Sequence, residues 1–134
     1  MKSLYLTALW LGLLYFGAFP AEAADLAKGE VLYEECKGCH ALRENLMGPR
    51  HCWVVGRPAG KVPDFTYSDV MKQSKLIWDA KTLDQFLAMP LSFMSGTIMG
   101  YAGIYDKKDR DDLIAYLTKL SNDPQACEGI DKLR

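Results

Sequence analysis

Cys36-Lys37-Gly38-Cys39-His40 is the stretch on which the reading of this chain turns. Two thiols three positions apart, followed at once by an imidazole, make the pattern C-x-x-C-H. In that pattern both sulfurs join a haem as thioethers and the adjacent histidine is brought to the iron. Upstream, from Asp25 to about Glu35, the residues Leu26, Gly29, Leu32, Tyr33 and Cys36 recur at helical spacing, so the motif closes a helix. Two other chemistries use such thiols. A thioredoxin-like pair belongs to a βαβ unit, where it follows a strand and opens a helix, the reverse of the order here. A tetrahedral zinc site needs two further ligands, and His51 with Cys52 is a poorly spaced pair. One covalently attached haem c is therefore expected.

Working outward, residues 37 to 68 show no sustained period. They carry Gly38, Gly48-Pro49, Gly56, Pro58, Gly60 and Pro63, the punctuation of a loop. A loop of that length in a compact domain has to wrap something. Asp69–Lys75 is read as a short helix. Thr82-Leu83-Asp84-Gln85 is read as a capping box, with Thr82 as N-cap, opening a helix that Pro90 ends. Ser92–Tyr105 is again loop, with Gly96, Gly100 and Gly103. From about Asp106 the positions of Leu113, Ile114, Tyr116, Leu117 and Leu120 predict an amphipathic helix, with Asp109, Asp111 and Asp112 near its positive end. Alternating strand patterns are absent, so the fold class is all-α. So little regular structure buries too small a core by itself, and an apolar cofactor would complete it.

The whole chain has 134 residues, enough for one domain. A formal charge of −1 offers polyanions no bulk attraction, so nucleic-acid binding is not expected. Met1-Lys2, the uncharged run Leu4–Phe19 and the small residues Ala21-Glu22-Ala23-Ala24 read as a secretory signal peptide over 1–23. The apolar run is shorter than the roughly 20 residues of a membrane span, so cleavage is favoured over an uncleaved anchor, with no stable membrane insertion afterwards. The working domain then occupies 24–120 and a C-terminal extension 121–134. Export points to a periplasm, where disulfides persist. No nucleophile–base pair, paired-carboxylate site or phosphate loop is evident, so no enzyme activity is expected.

With these residues in view, the chain resembles the class I c-type cytochromes, the mitochondrial cytochrome c and bacterial cytochrome c2 group. The landmarks run in order: Gly29 and Tyr33, the CKGCH motif, Gly48-Pro49, Gly56-Arg57, FTYS at Phe65–Ser68, Trp78, TLDQFLAMP at Thr82–Pro90, FMSGTIMGYAGI at Phe93–Ile104 and DLIAYL at Asp112–Leu117. The resemblance implies a class I fold, in which N- and C-terminal helices cross and loops wrap one covalent haem. It implies that Cys36 and Cys39 hold the haem and that His40 and Met99 bind the iron. Met94, in the same loop as Met99, is by default core filler. Pro49 matches the residue whose backbone oxygen orients the axial histidine, and Arg57, Tyr67 and Trp78 match the partners of the haem propionates. Leu83, Phe86 and Leu87 would line the haem face, Phe86 standing where a tyrosine is common. His51 occupies a non-ligand position, with a supporting or surface role.

The departures are as informative. Mitochondrial members ring the haem edge with lysines, whereas the matching positions here read Glu35, Leu91-Ser92, Ile98 and Tyr105-Asp106, with Lys107 and Lys108 nearby. Either the partner presents an apolar patch or the charges are rearranged on a solvated surface. Cys52 and Cys127 lie outside the haem motif. The family fold would bring the tail near the loop of Cys52, so a disulfide is expected, with unpaired thiols and intermolecular pairing left open. The expected function is a monomeric, monohaem electron carrier serving redox partners (an oxidase, reductase or dehydrogenase). A dedicated acceptor subunit of a periplasmic dehydrogenase is the alternative.

Overall fold

A computed structural model describes residues 22–133. The bulk of the expected signal peptide, 1–21, lies outside the described residues, as does Arg134. Five helices follow in chain order: α1 (Leu26–Lys37), α2 (Asp69–Gln73), α3 (Ala80–Ala88), α4 (Pro90–Phe93) and α5 (Lys107–Ser121). The one β pairing among the described residues is an isolated bridge of Pro58 with Ile77. The fold is all-α, as expected.

Asp25 caps α1 by accepting the Ala27 and Lys28 amides on its carboxylate. The helix runs two residues further than its apolar period suggests. Its last turn passes into the motif, where the amides of Cys39 and His40 both donate to Cys36 O. The opening of α3 corrects the sequence reading. Its N-cap is Asp79, and Thr82 is the third residue of the helix, its amide 2.7 Å from Asp79 Oδ1 while its hydroxyl accepts the Asp79 amide. Asp79 supplies the better acceptor one turn earlier, and Thr82 serves as the reciprocal partner. Pro90 does more than end α3: it stands at the first position of α4, where its missing N–H leaves no bond unmade.

The core forms where α1 packs on α5. Gly29 is required there, because a Cβ would strike the Asp112 backbone carbonyl of α5. Tyr33, Leu113, Ile114 and Leu117 bury around that contact. Arg110 of α5 reaches back to Asp84 of α3 at 2.7 Å and to the carbonyls of Ile104 and Tyr105, tying the preceding loop to the helix pair.

Past α5 the chain turns back on the loop that follows the motif. Cys52 and Cys127 are joined as a disulfide across 75 residues of sequence. Arg43 donates to the carbonyls of Ala126 and Glu128, and Trp53 Nε1 to Ile130 O, all at 2.7 Å. The Lys132 ammonium lies 4.4 Å from the Trp53 ring centre. Bridge and strap bind the segment beyond Ser121 to residues 43–53.

Candidate cofactor site

The loops between the helices converge on a cavity of about 410 Å³, within the range of small-molecule sites. Val54, Met71, Leu83, Phe86, Leu87, Leu113 and Leu117 make its wall largely apolar. Cys36, Cys39, His40, Pro49, Arg57, Tyr67, Trp78, Phe86 and Met99 all line this one space. Met94 is packed in the core instead, 8% exposed.

The motif occupies the end of α1 and the turn beyond it. His40 Nδ1 donates to Pro49 O at 2.8 Å, and because a carbonyl can only accept, the lone pair of the neutral ring is left on Nε2. Gly48 makes this approach possible, since a Cβ there would collide with the His40 ring. Burial lowers the pKa of His40 against the opposing pull of the Pro49 bond, so the ring is neutral at neutral pH. Burial, with Glu35 and Cys39 nearby, pushes the Cys36 thiol up to about 11. A redox-active dithiol needs the opposite, a stabilised thiolate, so the thioredoxin-like reading fails on electrostatics as well as topology.

Short backbone pairing sets the polar wall. Trp78 N donates to Arg57 O and Gly56 N to Trp78 O, which brings both residues to the cavity wall. Arg57 is 3% exposed, and part of its donor set is already committed: Nη1 and Nη2 bond the carbonyls of Arg50 and Cys52. Burial lowers its pKa to about 10, which leaves it a cation. The sequence reading missed one residue here. Ser68 Oγ is buried without a partner in the cavity wall, and its place beside Tyr67 in the FTYS stretch was the available signal. His51, expected in a supporting or surface role, lies on the wall and is stacked on His40.

The donor set fits a covalently attached haem. Two thiols, an imidazole with its lone pair on Nε2 and a thioether share one apolar space, with a buried cation and an unmatched hydroxyl beside them to receive carboxylates. An all-α domain built around such a site defines a haem-binding electron-transfer protein.

Comparison with known proteins makes this specific. A profile of the cytochrome c family matches residues 26–121. Cytochrome c2 of Rhodomicrobium vannielii is 41% identical over 107 residues, covering 78% of this chain and 86% of the relative. Cytochrome c of Euglena viridis is 39% identical over 101 residues, 73% of this chain and 99% of its own length. The solved structure of cytochrome cH from Methylobacterium extorquens superposes with a TM-score of 0.69 at 42% identity, over 72% of this chain and 99% of that one. This chain belongs to the cytochrome c family. It carries one covalently bound haem c and is an electron carrier, not an enzyme.

Proposed function

We propose that this protein is a periplasmic electron carrier whose iron is held by His40 and Met99 throughout the cycle. The observation that carries the reading is that Met99 shares the cavity wall with His40 whereas Met94 is core. When bound, the haem supplies a one-electron couple between Fe(III) and Fe(II). Cys36 and Cys39 tether it. Pro49 orients His40 and leaves the lone pair of its ring on Nε2. Met99 offers a soft, neutral sulfur that favours the ferrous state. The apolar wall excludes water, and Arg57, Tyr67, Ser68 and Trp78 present donors for the propionates.

The cavity wall carries exposed apolar side chains, and α4 carries another. Met47 is 75% and Ile98 64% exposed, both on the cavity wall, while Leu91 is 55% exposed on α4. Lys107 and Lys108 are engaged by Asp111 and Asp112. A rim of this kind favours a redox partner with an apolar face and docking that depends little on salt. It also supports the second reading, a dedicated acceptor for a periplasmic dehydrogenase, which co-purification with such an enzyme would separate from a freely diffusing carrier. No helix among the described residues is long and apolar enough to cross a membrane.

The optical spectrum of the ferric holoprotein tests the ligand pair, because methionine–iron ligation gives a weak near-infrared band. The band should be present in the wild type, lost in Met99→Ala and kept in Met94→Leu. Survival in Met99→Ala with loss in Met94→Leu would reverse the assignment.

A further inference from the structure

The electron-transfer reading leaves His51 on the cavity wall without a task. The His51 ring stacks on His40, with centroids 4.3 Å apart and planes inclined by 18°. At the edge of the ring the Tyr33 hydroxyl lies 2.9 Å from His51 Nδ1. Tyr33 belongs to α1 and is 3% exposed, its ring set against Tyr116 of α5 at 5.6 Å. The His51 backbone is held as firmly as its ring. Its amide donates to Ala41 O at 3.0 Å, and the next residue, Cys52, donates to Leu42 O at 2.7 Å and carries the disulfide. The ring is thus anchored from the helix crossing on one side and from the closed loop on the other.

His40 needs such a neighbour. Its bond to Pro49 O fixes the direction of Nδ1, but one hydrogen bond does not fix the plane of a ring that turns about that direction. A parallel ring does, because contact area is lost when either plane turns. An aliphatic side chain could fill the same volume without preferring one orientation. The Tyr33 bond serves whichever nitrogen of a neutral His51 carries the proton, since the hydroxyl can donate or accept.

We propose that His51, anchored by Tyr33, is a positioning residue that sets the plane of the His40 imidazole at the haem iron. The inference rests on the reading of His40 as an iron ligand. The plane of an axial imidazole determines how unpaired spin is distributed over a ferric haem. Proton shifts of the haem methyl groups and the anisotropy of the electron paramagnetic resonance therefore respond to it, whereas packing away from the two iron ligands leaves both unmoved.

The test uses the ferric holoprotein as wild type, His51→Leu, His51→Phe and Tyr33→Phe, each shown to be folded by circular dichroism. His51→Leu should redistribute the haem-methyl shifts most and broaden the g-values. His51→Phe, which keeps a stacked face, should stay nearer the wild type. Tyr33→Phe should move the shifts in the direction of His51→Leu, by less. Haem-methyl shifts unchanged in a folded His51→Leu overturn the proposal. Should that variant fail to give folded holoprotein, Tyr33→Phe decides by the same criterion. A wild-type spectrum without the signature of a low-spin, imidazole-bound iron would remove the ligand assignment of His40, and this proposal with it. A normal wild-type spectrum with unmoved variants would remove the proposal alone.

Discussion

The loop after His40 and the loop before α5 contribute to the same cavity but are built differently. The first, residues 41–57, is cross-linked along its length. Its amides at Gly48, His51 and Cys52 donate to the carbonyls of Cys39, Ala41 and Leu42. Arg57 gathers the carbonyls of Arg50 and Cys52, and the disulfide and Arg43 fasten it to the tail. The second, residues 94–105, is rooted at its ends. Thr97 N bonds Met94 O, Ile104 N bonds Leu87 O, and Arg110 takes the carbonyls of Ile104 and Tyr105. Between those roots Met99 N reaches only the neighbouring Thr97 Oγ1, at 3.3 Å, and Tyr101 donates to Glu35 across the mouth. Long-range links hold a side chain in place when no ligand is present, whereas end anchoring leaves the middle to be ordered by what it binds.

The largest test of this contrast breaks the motif where both loops depend on it. Replacing Cys36, Cys39 or His40 should prevent stable haem attachment and leave the chain largely unfolded, because the apolar wall then loses the group it packs against. Far-UV circular dichroism and limited proteolysis would show this. A compact, protease-resistant chain without haem would mean that the loop cross-links suffice.

Next comes the end-anchored loop. Met99→Ala should lower the reduction potential and open the iron to added cyanide, with the 41–57 loop still protected from hydrogen exchange. Met94→Leu conserves volume in the core and should leave potential and cyanide binding unchanged. Loss of protection in both loops on Met99→Ala would show that the two are one cooperative unit.

The cross-linked loop has a smaller and purely mechanical test. Cys127→Ser should cost about 2–4 kcal/mol of stability while leaving the haem spectrum almost unchanged, because the bridge constrains the chain rather than the iron. Native thiol labelling should find Cys52 and Cys127 unreactive until reduction, and reduction should expose the segment after Ser121 to protease. Arg43→Ala removes two bonds to the tail at an exposed site and should cost less, about 1 kcal/mol by denaturant titration.

The smallest effect lies at the helix crossing beneath both loops. Lys108, and then the Asp25 amide, hold the buried Asp112 carboxyl below its ordinary value of 3.8. A folded-state pKa that is depressed contributes stability above the unfolded value and loses it as pH falls through the folded one. Asp112→Asn should therefore melt lower than the wild type at neutral pH, and the two melting curves should converge in acid. A gap that persists unchanged to low pH would assign the effect to packing.

Most candidates around the cavity came from the family resemblance, while the sequence by itself determined the local and covalent features: the C-x-x-C-H motif, its position at the end of a helix, the amphipathic period of α5 and the all-α class. These depend on neighbours in the chain or on residue types at fixed spacing, which survive without a fold. The N-cap of α3 was legible in principle, yet Thr82 and Asp79 are both good caps, and only backbone geometry chooses between them. The tertiary structure alone decided what depends on distant parts of the chain meeting. It closed the Cys52–Cys127 bridge that the resemblance leads us to expect, committed much of Arg57 to backbone carbonyls, left the Ser68 hydroxyl without a partner and laid His51 against His40. Each of these is a matter of a few ångströms between loops with no period of their own, and spacing along the chain carries no information about such distances.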